Sequence, residues 1–493
     1  MKVICIGFGV VARTLIPLML RLGLCSASEV TVICDEDDHL PLAQALGVSY
    51  CHVSITRDNH LQELGSRLQP HALLLNLSVG VSSPSLIKLA QAKGAMYLDT
   101  CVEPWAGGYQ DLDPQKTTNA WLRRQALALR GAGKPVAVLA HGANPGLVSH
   151  FVKQALREMA FQQGGAALAG VVSAAQTSPR TWALLAQALD VRVVQVAERD
   201  TQGDEQLSAH PANDGKFTST WSPEGLLAEL GQPPECGWGS HETALPAGAR
   251  LVDPAGASEL YLPPARQQAL QWVRSWVPSR GEQQALWVTH HEALSISALL
   301  SLQGPGPAVE SSRCYRPTCY YAYRPCAHTL RGIQAWQACG RSRPPQLETL
   351  TLGSGLQGFD ELGVLLCSPG LSCWYGSTLH ARDALAFLHH PSCGNATSVQ
   401  VAAGILGALA WMLKNPLAGV VEAEDMDHCE VLAEASPLLG QMRAVFTSWH
   451  PGGELQWKDF LTKKPTAAKS EDRFFFDDSS RRIHSESAKQ MPR

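Results

Sequence analysis

No run of twenty uninterrupted apolar residues occurs in this chain of 493 residues, so no membrane span is evident by length alone. The two nearest candidates fail for readable reasons. Residues 1–24 resemble a signal peptide, but Arg13 and Arg21 break the run and no small-residue cleavage site follows; the glycines fit a strand and a turn better. Val399–Leu413, at about 15 residues, is shorter than the roughly 20 a bilayer requires and reads as a buried core helix. A basic excess is also missing: 40 Lys and Arg against 44 Asp and Glu leave a net charge of −4, which does not favour nucleic acid as a partner. The 14 cysteines include no repeated C-x-x-C pair. They form neither the disulfide framework of a small secreted domain nor a zinc module, and read as reduced cytosolic thiols. No H-E-x-x-H or other standard ligand spacing points to a metal, and no internal repeat of useful length appears.

What is present is an ordinary globular composition, 45% hydrophobic and 17% charged, long enough for two or three domains. Over residues 1–150 short aliphatic runs alternate with amphipathic segments. Val3–Ile6, Val30–Cys34, Ala72–Leu77, Met96–Leu98 and Val136–Ala140 are candidate strands, and the stretches between them read as helices. That alternation predicts an α/β fold with a Rossmann-type, doubly wound parallel sheet. Residues 151–390 turn to mixed strand-like and turn-rich segments with several Trp and Tyr, predicting an α+β second domain for substrate and dimerisation. Residues 391–462 are expected to return a helix to the first domain. Residues 463–493, rich in Lys, Asp, Ser and Arg and poor in aliphatics, are expected to stay disordered.

Gly7-Phe8-Gly9-Val10-Val11-Ala12 directly follows the first strand and precedes a helix. Gly7 permits the tight turn, Gly9 lets a pyrophosphate approach the backbone, and Ala12 allows close helix packing. The phosphates would then meet free N–H groups at the helix N-terminus. Pro17 is tolerable if the regular helix begins near Thr14. The second strand ends at Asp35-Glu36-Asp37-Asp38, where an acid binds ribose hydroxyls and a cluster of acids repels the extra phosphate of NADP, favouring NAD. A structural turn plus a solvated acidic loop would explain each feature separately; their order within one strand–helix–strand unit favours the nucleotide.

Four further groups stand out. Asp99-Thr100-Cys101-Val102-Glu103 follows a strand end, where this fold class places ligand loops. His141-Gly142-Ala143-Asn144-Pro145-Gly146 presents an amide that either fixes a ligand or forms an Asx turn. Glu198-Arg199-Asp200-Thr201-Gln202 is charge-rich, and Arg199 and Asp200 alone would read as solvated surface. Trp221 near Glu229 is either core or an ammonium platform, because a ring face attracts cations and carboxylates hydrogen-bond them. His290 or His291 suits proton transfer near neutral pH, and Asp360, at the head of a buried apolar run, is a cap or a ligand.

Taken together, Gly7-Phe8-Gly9, Asn76-Leu77-Ser78-Val79, Val102-Glu103-Pro104-Trp105, Gly142-Ala143-Asn144-Pro145-Gly146, Glu198-Arg199-Asp200-Thr201-Gln202, Thr220-Trp221-Ser222, Trp374-Tyr375-Gly376-Ser377 and Asn395-Ala396-Thr397 resemble the bacterial-type homospermidine synthases of the saccharopine dehydrogenase-like group. The resemblance runs from Met1 to about Pro451. It implies an enzyme joining two putrescine-type diamines into sym-homospermidine with release of ammonia, using NAD recycled within one turnover, in a homodimer. It also implies that Asn144, Glu198, Trp221, Glu229, His290 and Asp360 line the amine pocket with Glu103 nearby. Gly7, Gly9, Val10, Val11, Asp35, Asn76, Ser78, Asp99 and Thr100 would hold the nucleotide. The chain departs from the pattern at Ala12 for the third Gly, His141 for a Cys and His291 for an Asn, and in shortened loops around Gln163–Pro179.

A protonated amine cannot lose hydride, so a carboxylate such as Glu198 or Glu229, or His290, must take a proton from the reacting nitrogen. Two other readings stand beside this one. A related imine reductase acting on an amine with an aldehyde or a keto acid would need external NADH or NADPH, and for a carboxylated substrate an Arg in the pocket, such as Arg199 or Arg316; a nucleotide-binding protein without turnover, such as a redox sensor or scaffold, would need none of the acids.

Overall fold

The computed structural model describes residues 1–164, 170, 178–203, 216–252, 258–263, 270–302, 314–342, 344 and 346–462. The predicted tail, residues 463–493, and most of the Gln163–Pro179 loop lie outside these described residues.

The N-terminal strands are β1 Val3–Ile6, β2 Val30–Cys34, β3 Ser49–His52, β4 Leu73–Asn76, β5 Met96–Asp99 and β6 Ala137–Val138. With the two-residue strand Val420–Val421 they form a seven-stranded parallel sheet, in the order Val420–Val421, β6, β5, β4, β1, β2, β3. Strands β1, β4 and β5 are buried at every position, as expected of parallel strands covered on both faces. The strand order reverses between β4 and β1, and ligands of such sheets bind at the carboxyl ends beside that point. Two strands carry no sequence signal. β3 is half exposed, and Val420–Val421 is too short and too far along the chain. The helix after β1 begins at Val10, not near Thr14, so Pro17 lies inside it.

The larger sheet has eleven strands. Its long members are β7 Val193–Asp200, β8 Trp272–Val277, β9 Gly281–Val288, β10 Thr318–Arg324, β11 Phe359–Ser368, β12 Leu371–His380 and β13 Gln441–Thr447. β7 sits near the middle, parallel to β10 and antiparallel to β11, which aligns Asp200 with Asp360 and Glu198 with Leu362 and Tyr323. The pleat sends Glu198 and Asp200 to one face and Arg199 to the other. Asp200 is 3% exposed, so this charged string is not solvated surface.

One helix ties the two sheets together. Ala396–Lys414 is long and apolar enough to cross a membrane, with mean hydropathy 1.6, yet 83% of that stretch is buried inside the molecule. Asn395 caps it by accepting from the Ser398 N–H at 2.9 Å. It packs on the helix Val10–Arg21, where the Thr14 hydroxyl donates to Ser398 Oγ at 2.9 Å. Further along, Gly404 presses on the loop after β6 so closely that a Cβ there would lie 2.0 Å from the Gly142 carbonyl oxygen.

Candidate active site

A cavity of about 160 Å³ opens where the carboxyl ends of the parallel sheet meet β7, β10 and β11. Of the residues singled out from sequence, Val11, Asn76, Ser78, Thr100, Glu103, Asn144, Glu198, Trp221, Glu229, His290 and Asp360 all line it. Four lining residues are carboxylates, and no Lys or Arg is among the described lining residues.

One wall is neutral and built on small residues. Gly7 has φ +89°, and a Cβ there would stand 2.7 Å from the Leu77 carbonyl oxygen, so only glycine fits. A Cβ on Gly9 would meet nothing within 4 Å, leaving its approach open. Val10 starts the helix behind these glycines and is buried. Asn76 accepts from the Ser78 hydroxyl at 2.7 Å and donates to the Val81 carbonyl at 3.1 Å, fixing the loop after β4. This turn, open glycine and free helix N-terminus fit a dinucleotide. Asp35 is exposed at the end of β2, where its carboxylate accepts from the Ser54 hydroxyl at 2.9 Å. Asp99 departs from expectation. It is fully buried outside the lining, accepting from the Ala140 N–H at 2.6 Å and the Tyr97 hydroxyl at 2.7 Å, so it supports the sheet rather than facing a ligand.

The opposite wall is acidic. Ser222 caps the helix Pro223–Gly231, accepting from Gly225 N–H at 3.0 Å, with proline at the first helical position. Gly225, Ala228, Glu229 and Gln232 line the cavity, the spacing of one helical face. Trp221 precedes the cap, and a Cβ on Gly225 would come 3.0 Å from its ring, so the glycine leaves room for the indole. Glu198 accepts from the Tyr321 hydroxyl at 2.7 Å, and Asp360 from the Thr397 hydroxyl at 2.6 Å. Asp200 lies alongside, bound by the Thr220 hydroxyl at 2.6 Å. Burial pushes Glu198 up to about 7, with the Tyr321 hydroxyl opposing and the Asp200 charge adding to the rise. Burial, then the charges of Glu198 and Asp200, hold Asp360 well above the usual carboxylate range. Burial also lifts Glu103 to about 7, although it accepts from the Gly80 N–H at 3.1 Å.

His290 stands between two acids, Nε2 3.3 Å from Glu229 and Nδ1 3.0 Å from Glu292, with Asn144 Oδ1 3.2 Å from Nδ1. Burial alone would lower its pKa, but the charges of Glu292 and Glu229 outweigh it and hold it well above the ordinary value. The two flanking carboxylates therefore favour the protonated ring. Burial raises Glu229, and its Oε2 has no hydrogen-bond partner. His291, beside it, turns to Glu422 at 2.8 Å, itself paired with Arg123 at 2.6 Å. Neither Arg199 nor Arg316, the arginines a carboxylated substrate would call for, is among the described residues lining the cavity. His141 lies behind the site, with its Nε2 3.0 Å from that of His150. Among the described residues Asp427, His428 and Cys429 bring potential metal-ligating atoms within 4.8 Å of one another, outside the cavity lining.

Sequence reasoning passed over Tyr321, Glu292, Asp200 and Gln232. Tyr321 sits in an aromatic strand with no local sign of its partner. The alternation Glu198, Arg199, Asp200 in a strand was the available signal for Asp200.

Residues 3–138 match the saccharopine dehydrogenase NADP binding domain, and residues 142–445 the saccharopine dehydrogenase C-terminal domain. The chain is 38% identical to the homospermidine synthase of Blastochloris viridis over 458 residues, 91% of this chain and 92% of that one. The chain belongs to the homospermidine synthases. A homospermidine synthase from Mesorhizobium japonicum is 35% identical over 459 residues, covering 91% of each chain. The crystal structure of the homospermidine synthase of Legionella pneumophila in complex with NAD is similar at TM-score 0.81 and 33% identity, over 94% of this chain and 98% of that one. Apo saccharopine dehydrogenase from Saccharomyces cerevisiae, at 10% identity and TM-score 0.50, shares the fold.

Proposed function

We propose that this homospermidine synthase couples two putrescine molecules into sym-homospermidine with release of ammonia, using NAD that is reduced and reoxidised within one turnover. One observation carries the reading: four carboxylates and a tryptophan line the cavity, with no Lys or Arg among its described lining residues. Such a wall suits a diamine carrying two positive charges and opposes a carboxylated substrate. The acids at the end of β2 favour NAD over NADP.

Gly7, Gly9, Val10 and Val11 would hold the pyrophosphate end of the cofactor, Asp35 its ribose, and Asn76, Ser78 and Thr100 the loops toward the reacting ring. When bound, NAD supplies the chemistry of taking a hydride from an amine-bearing carbon and returning it to an imine. The chain's own residues do the rest. Asp360 and Glu198 hold the distal ammonium and so set which carbon faces the nicotinamide side. Glu229 Oε1 or Oε2 takes the proton that the reacting nitrogen must shed, because His290, charged between two acids, is a donor. Trp221 stabilises the cationic imine without offering it a nucleophile. Walls buried around these groups exclude water that would hydrolyse the imine.

The two sheets support assigning residues 1–150 to the nucleotide and 151–390 to substrate; of residues 391–462, the helix Ala396–Lys414 and Val420–Val421 pack back on the first domain, whereas β13 adds a strand to the larger sheet. A homodimer fits the free edge of β13. Among the described residues its seven positions pair with a strand on one side alone, the register carries no bulge, and Arg443 turns back to Glu361. A second copy offers the same strand about a twofold axis. All 14 cysteines are free, which supports a reducing, cytoplasmic setting.

Incubation with putrescine and NAD as the only additions tests the proposal. Homospermidine and ammonia in equal amounts, with no net NADH, is the expected result. A requirement for added NADH and a carbonyl substrate would replace it with imine reduction.

A further inference from the structure

The helix Pro223–Gly231 ends on a second cavity of about 30 Å³, which shares Glu229, Gln232 and Thr289 with the main one. The two spaces therefore adjoin across the C-terminal end of that helix. Leu230 and Gly231, in the last turn, line the smaller space, and the carbonyl end of a helix carries partial negative charge. Gln232 is buried, and its Oε1 has no hydrogen-bond partner among the described residues. Glu229 Oε2 shares that condition. Buried acceptors left unmatched are costly, so a donor is wanted on this partition. Size limits which donor. At about 30 Å³ the side space is a small fraction of the roughly 160 Å³ main cavity, room for a small polar molecule such as ammonia rather than for a second diamine. One basic residue, Arg341, shares the lining, and its guanidinium is engaged 5.3 Å over the Trp336 ring.

We propose that this side cavity receives the ammonia released in the reaction and that Gln232 is its binding residue, an inference that rests on the function proposed above. The second amine's nitrogen forms a bond to the imine carbon and passes a proton to Glu229. The original nitrogen takes that proton back, its bond to the carbon breaks with the electron pair leaving on nitrogen, and ammonia departs as the new imine forms. Every step is reversible, so ammonia left beside the imine adds again and restores the starting imine. A space on the far side of Glu229, walled by acceptors, draws it out of line before the hydride returns.

The test follows the reverse path. Wild-type protein with NAD and putrescine is titrated with 15N-ammonium chloride, and 15N in putrescine is measured beside homospermidine. Incorporation should saturate with ammonium. Methylammonium, one methyl group bulkier, should give N-methylputrescine about tenfold less efficiently than ammonium gives labelled putrescine. Gln232→Leu should raise the half-saturating ammonium concentration up to about tenfold, the loss expected of one buried hydrogen bond. Gln232→Asn, which keeps the amide on a shorter stem, should raise it less and carries the test if the leucine variant does not fold. Incorporation that is absent or rises linearly without limit, or a half-saturation unchanged in the variants, overturns the proposal. Failure of the wild type to make homospermidine at all would instead remove the functional reading beneath it.

Discussion

The two walls of the cavity are built on opposite principles. The nucleotide wall is short-range: a strand, Gly7 at φ +89°, Gly9 open to its front, and a helix beginning at Val10 all lie within one stretch of chain. The amine wall is long-range. Glu198, Asp360, Glu229 and His290 come from β7, β11, a capped helix and the end of β9, and β-sheet register alone brings the first two together. A phosphate is recognised by backbone, which local turns can aim. A flexible dication needs acids spaced along its length, and separate elements provide that spacing.

The sharpest way to break this contrast is at Glu229. Glu229→Gln should cut putrescine turnover by roughly 10²–10⁴-fold while bound NAD, assayed by absorbance and mass spectrometry of the purified protein, stays within about twofold of wild type. Loss of nucleotide instead would make the acidic wall part of the nucleotide site. On the other wall, Gly7→Ala places a Cβ against the Leu77 carbonyl and forces a side chain into a left-handed backbone. It should weaken NAD by about 10–100-fold in equilibrium titration, and unchanged affinity would deny the turn its role. Trp221→Ala should lose about thirtyfold in turnover, the equivalent of about 2 kcal/mol, and Trp221→Phe clearly less. Wild-type rates in both would reduce the ring to packing.

Two milder effects sharpen the comparison. Glu198 and Glu103, both raised to about 7, become neutral as the pH falls through that value and cease to attract ammonium groups. The value of kcat/KM for putrescine should therefore fall between pH 8 and pH 6, up to about tenfold per pH unit for each group, while NAD affinity stays nearly flat. A flat putrescine profile would place the needed charge elsewhere. The smallest change should come from Asp35→Ala, a few-fold loss of NAD preference over NADP in competition titrations, because this acid is exposed.

The same division explains how far the sequence could be read. Strands β1 and β2 were predictable to the residue because parallel strands buried on both faces are continuous aliphatic runs. Gly7 and Gly9 were readable because their reason is local. The burial of Asp99 was not readable, since nothing in Leu98-Asp99-Thr100 tells whether a strand-end acid turns inward, where the Tyr97 hydroxyl and the Ala140 N–H bind it. Asp200 looked like surface until its partners across the sheet were known. Trp221, Glu229, His290 and Asp360 stood out in the sequence but took their roles from family resemblance; their convergence depends on pairings between residues well separated along the chain.

The parallel sheet closes with Val420–Val421 laid along β6. During synthesis β6 must wait for the chain to grow from Val138 to Val420, tens of seconds at ordinary ribosomal speed. Until then that flank of β6 lacks the strand that pairs with it in the finished protein, and the part of the enzyme translated first is among the last to be completed. Slowing of the ribosome in the intervening coding region would prolong that vulnerable interval, and a chaperone that shields unpaired strands would find its client there.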